Sequence, residues 1–165
     1  LTLMLKFETP QARHLADQLM QPALIRIIDN IRKQLEDSEW QGTYQETQIW
    51  PEGTSEATLH QFKELQSQLN QATPETAETI RTELQQLPQP FPGYELHLTK
   101  AEQTRIVDVW HLCYCVCFQA YPVTDGPVQV DESIIDREVN DVDWLVLDNK
   151  AKAIVDEVFS QLGAE

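Results

Sequence analysis

The feature that most constrains the fold is the stretch from Tyr94 to Val123, YELHLTK-AEQ-TRIVDVWHLCYCVCFQAYPV. Its first arm alternates, with Tyr94, Leu96 and Leu98 on one side and polar residues on the other. A turn at AEQ follows, and a second, longer run of alternating and aromatic residues begins at Thr104. Period-two patterning with β-branched and aromatic residues predicts an antiparallel hairpin at about 94–121 with one long strand. A chain carrying such a hairpin needs helices or a second sheet to cover its apolar face.

The remaining segments supply the helices. Leu15, Leu19, Leu24, Ile27, Ile28, Ile31 and Leu35 recur at three- and four-residue steps, an amphipathic helix. Thr9 and Pro10 precede it as cap and first helical residue. Pro22 removes a backbone donor inside this run, so a kink or a junction of two helices is expected there. Leu59, Phe62, Leu65 and Leu69 predict a helix from about 55 to 71, and Ala77, Ile80, Leu84 and Leu87 predict another after ATPET, the two forming a helical hairpin. LDNKAKAIVDEVFSQLG, Leu147 to Gly163, predicts a closing helix with Ala151, Ile154, Val155, Val158 and Leu162 facing inward and Gly163 as its stop.

Between these lie less regular pieces. Trp40 to Trp50, WQGTYQETQIW, reads as a strand with a solvated face. PQPFPG, Pro88 to Gly93, reads as a stiff linker without regular structure. VQVDESIIDREVNDVDW reads as a short strand and an acidic loop. The opening LTLMLKFETP reads as a short strand or docking arm; it lacks the basic flank and cleavage site of a secretory signal. The expected fold is α+β: a small antiparallel sheet of three to five strands packed against about four helices on one face, in a single domain over 1–165.

Charge narrows the function. The chain has 27 acidic and 12 basic residues, a formal net charge of −15. Phosphate neutralisation needs clustered Lys and Arg, and here they are scattered, so nucleic-acid binding is not expected. No run of about 18 apolar residues predicts a membrane-spanning helix. A partner protein with a basic surface fits the charge.

All three cysteines fall in VWHLCYCVCF, with His111 two residues before the first. On a strand, His111, Cys113, Cys115 and Cys117 share one face and Trp110, Leu112, Tyr114, Val116 and Phe118 the other. Cys113 and Cys117 then lie roughly 13 Å apart at about 3.3 Å per residue, too far to share one zinc ion, and the usual knuckle spacing is absent. Buried, inert thiols on a core strand are the expectation, with no metal and no other cofactor. Without a secretory signal or disulfide framework, the expected compartment is the reducing cytosol.

Catalytic patterns are sparse. A nucleophile motif of the G-x-S-x-G type is missing, and five glycines are too few and too dispersed for the phosphate-binding loops. The acidic segment from Asp131 to Asp148 has no glycine for a calcium-loop turn. His14 and His60 stand in helical contexts. Trp40, Tyr44 and Trp50 share one side of the predicted strand; as core they need no explanation, and if exposed they make an aromatic binding face. Trp144, after the acidic segment, is expected in the core. Among the polar residues of the long hairpin, His97, Arg105, Asp108 and His111 are the candidates for a pocket between sheet and helices. The first functional expectation is therefore a non-enzymatic interaction module, an adaptor or assembly factor. The alternative is a small-molecule- or metal-binding protein or enzyme built on those four residues.

Overall fold

The computed structural model describes residues 5–122 and 126–162. The fold is mixed α+β, with five α-helices, a three-stranded sheet and a two-stranded one among these residues. The chain divides into two compact units, Leu1–Glu46 with Tyr94–Glu165, and Thr47–Gly93.

The first unit begins with Leu5 and Phe7 packed onto the core and the Lys6 carbonyl accepting from Val128 N at 2.9 Å. Residues 1–4, part of the predicted arm, lie outside the described residues. Helix α1 runs Pro10–Glu36 as one continuous element through Pro22, not as two helices. Thr9 Oγ1 accepts from Ala12 N at 3.1 Å and stops the helix from fraying. Its buried stripe is Ala16, Leu19, Met20, Ala23, Ile27 and Ile31. Strand β1, Gln41–Ile49, crosses into the second unit, and β2, Phe91–Lys100, returns from it.

β2 pairs antiparallel with β3, Gln103–Asp108, in the register Leu96 to Val107 and Leu98 to Arg105. Lys100 faces Gln103 across a two-residue link, which forces Ala101 to a φ of +53°. The predicted linker is corrected in part: Phe91–Gly93 belong to β2. Pro92 lies before the β3-paired stretch, which begins at Glu95, so it withholds no donor from that ladder.

The larger correction concerns the cysteines. The second arm of the hairpin ends at Asp108, and Val109–Cys117 is helix α4. Asp108 is its N-cap, with Oδ1 accepting from His111 N at 3.3 Å. Val109, Leu112, Cys113, Val116 and Cys117 are buried, the i, i+3, i+4, i+7, i+8 stripe of a helix. Almost every residue of this segment is apolar, so alternation cannot be told from a helical stripe, and its aromatic and β-branched content favours a strand on local pattern alone.

After α4, Phe118 bridges to Val130, and Glu132–Ile134 forms a 3-10 turn. The acidic segment contains a two-stranded ribbon, β4 (Ile135–Asp136) and β5 (Asp141–Val142). Helix α5 spans Trp144–Leu162, starting three residues before the apolar pattern suggested because Asp143 Oδ1 caps Val146 N at 3.2 Å. The predicted stop, Gly163, lies outside the described residues. Helices α1, α4 and α5 pack together around Leu19, Ile27, Val116, Leu147 and Val155. Arg26 Nε and Nη2 reach Asp148 Oδ1 at 2.8 and 2.7 Å, and the buried Asn30 donates to the same oxygen at 3.1 Å, fixing α1 to α5.

The second unit holds the helical hairpin, α2 (Glu56–Gln71) and α3 (Pro74–Gln86). Ser55 and Thr73 cap them through Thr58 N and Thr76 N. Phe62, Leu65, Ala77 and Ile80 form its small buried stripe.

Candidate functional site

The predicted aromatic face is not an open one. Trp40 is 7% exposed and belongs to the core of the first unit. Tyr44 stacks on Tyr94 with ring centroids 5.3 Å apart and 12° between planes. Burial, with the neighbouring Tyr94 adding to it, pushes the Tyr44 hydroxyl up to about 12. Trp50 lies in the second unit, edge-on to Phe62 at 4.9 Å.

The four candidate pocket residues of the hairpin separate. In the β2–β3 register His97 and Asp108 fall on one side of the ribbon, with Arg105 on the other beside Leu96 and Leu98. His97 Nε2 lies 3.2 Å from Glu95 Oε1. Asp108 and His111 instead meet at the first turn of α4 and line a groove of about 550 Å³ between β3, α4 and α5. Its apolar wall comes from Val107, Leu112, Ile154 and Val158, and its polar groups include Cys115, Lys150 and Glu157.

The helix gives the cysteines different roles. Cys113 and Cys117 are fully buried, the latter against Met20 Sδ at 3.8 Å. Burial pushes the Cys117 thiol up to about 12 and raises the Cys113 thiol as well. Cys115 is half-buried and looks into the groove, with Sγ 3.6 Å from His111 Nε2, one helical turn away. Burial raises its pKa too, opposed by the charge of Lys150. Among the described residues no three His, Cys, Asp or Glu side chains converge to hold a metal ion.

A second place stands out by exposure. Trp144, expected in the core, is 49% exposed; Leu145 beside it is 71% and Val139 68% exposed. The cap at Asp143 sets the helical phase, which turns Leu147, Ala151 and Val155 inward and leaves the first two residues of α5 outside. Trp144 also forms one wall of a cleft of about 290 Å³ with Pro22 and Leu15 of α1 and Val142 of β5. Around it the chain from Asp131 to Asp148 carries seven acids and a single base, Arg137. Asp136, Asp141 and Asp143 are hydrogen-bonded to nearby backbone N–H groups, which leaves their charge at the surface.

Among the described residues no helix is long and apolar enough to cross a membrane. No protein-family model, no curated protein and no solved structure matches this chain.

Proposed function

We propose that the protein is a non-enzymatic interaction module, an adaptor or assembly factor of the reducing cytosol, whose partner is a protein segment carrying apolar side chains flanked by Lys or Arg. The observation that carries this reading is the exposed Trp144–Leu145 pair set in a strongly acidic segment. Water-exposed Trp and Leu side by side are the usual anchors of a protein interface, and Trp is the residue most often found at its energetic centre. The surrounding carboxylates select the sign of the partner and speed its encounter. The cleft next to Trp144 offers a seat for one apolar side chain of the partner. Three free thiols fit a reducing compartment.

Fluorescence anisotropy with labelled amphipathic helical peptides of one apolar pattern, made basic, neutral or acidic, tests the reading. The basic peptide should bind, weaken as salt rises, and lose at least tenfold in affinity with the W144A/L145A variant. Equal binding of all three peptides, or binding indifferent to W144A/L145A, would overturn it.

A further inference from the structure

The groove between β3, α4 and α5 is independent of the Trp144 face and has a chemistry of its own. Its volume of about 550 Å³ is that of a site for a small organic molecule. One wall is aliphatic: Val107, Leu112, Ile154 and Val158 pack their inner atoms against the core and turn the rest toward the groove. The polar groups are not balanced in charge. Lys150 is the one Lys or Arg among the lining residues, but its ammonium is committed elsewhere, to Asp131 Oδ2 at 2.7 Å and the Phe118 carbonyl at 3.4 Å. The carboxylates of Asp108 and Glu157 meet neutral donors instead. Asp108 Oδ1 accepts from His111 N, and Glu157 Oε1 accepts from Gln161 Nε2 at 3.0 Å. Two carboxylates with neutral partners beside an aliphatic wall present a negative site with an apolar floor, inside a chain whose net charge is −15.

We propose that this groove binds a small organic cation, an ammonium on an aliphatic or aromatic body, with the body against Leu112, Ile154 and Val158 and the ammonium toward Asp108 and Glu157. A carboxylate of the same shape meets two like charges and a repelling global field. A neutral alcohol gains the apolar contact alone.

Cys115 supplies a reporter inside the site. Cys113 and Cys117 are fully buried, so a small uncharged maleimide reaches Cys115 first in the native protein. The experiment follows Cys115 modification by peptide mass spectrometry on the full chain, with hexylamine, hexanol or hexanoate added at matched concentrations. Hexylamine should slow the modification at least fivefold at saturation, hexanol less, and hexanoate not at all. The D108N/E157Q variant should raise the hexylamine concentration for half-protection at least tenfold and leave that for hexanol unchanged; Asn keeps the helix cap at position 108. Filling the groove with A153F, at an exposed lining position, should abolish protection while circular dichroism shows the fold retained. Equal protection by hexanoate and hexylamine, no protection by either, or full protection of D108N/E157Q at the wild-type concentration would each overturn the proposal.

Discussion

Replacing the three cysteines one at a time by serine separates the helix at 109–117 from a strand. A strand sets Cys113, Cys115 and Cys117 on one face, and the three changes should then cost alike. The helix turns 113 and 117 into the core and 115 toward the groove. Cys113 and Cys117 are 0% exposed, so Ser at either position buries a hydroxyl where a weakly polar thiol packed well. That costs about 1–3 kcal/mol at each site, toward the lower end if the hydroxyl bonds the carbonyl one turn back. Position 117 also loses the contact with Met20 Sδ. Cys115→Ser sits at a half-buried position with His111 as a hydrogen-bond partner, so a change within about 0.5 kcal/mol is expected. Urea denaturation with a constant m-value reads the differences directly; thermal scans should show about 2–4 °C per kcal/mol for a chain of this length. Native-state alkylation should modify one thiol quickly and the other two only as fast as the protein opens. Three equal destabilisations, or three thiols reacting at one rate, would refute the helical placement.

Three further outcomes follow from individual contacts. Gly93→Ala should destabilise the second unit by about 1–3 kcal/mol, because a Cβ there would overlap Thr47 Oγ1 and crowd Ile49; the double variant with Thr47→Ala should recover part of the loss in a double-mutant cycle. Asp148→Ala should cost about 1–3 kcal/mol, since Arg26 and the buried Asn30 lose a shared acceptor, and R26A/D148A should cost less than the sum of the two single changes. For pH, burial pushes Asp148 and Asp131 up, but hydrogen bonds from Arg26 and Asn30 to the first, and from Lys150 and Ser133 to the second, hold both below the ordinary value of 3.8. A folded pKa below the unfolded one adds stability that is complete above the unfolded pKa and disappears as pH falls through the folded one. Denaturation midpoints should therefore be insensitive to these two groups above about pH 5 and fall below about pH 4, with a shallower acid slope in D131N/D148N.

What the sequence revealed and what it hid divide along a physical line. The helices with a wide polar face, α1, α2, α3 and α5, were legible because burial there is one-sided, so the apolar positions mark the period. The cap at Thr9 was legible because Thr satisfies an orphan N–H group in a local way, and Ser55 and Thr73 do the same for α2 and α3. Helix α4 was hidden for the opposite reason: it is packed between other helices, nearly all its residues are apolar, and a pattern needs contrast. The one local clue was Asp108 three residues before His111, the spacing at which a cap bonds the third helical N–H. Everything that depends on the phase of this segment differs between strand and helix. A strand sets His111 on one face with three cysteines; the helix pairs His111 with Cys115 alone and faces both toward Ile154, Glu157 and Val158 of α5. Those α5 partners are about forty residues away in the chain, and no local pattern connects them. The Trp144 face was hidden differently. Its residues were visible, but whether a Trp at the start of a helix points in or out depends on where the helix begins, and Asp143 set that point three residues before the first position of the inward-facing apolar run. In both places the functional proposal turns on a helix start fixed by a single aspartate, so Asp108→Ala and Asp143→Ala are the changes that bear most directly on the groove and on the Trp144 face respectively.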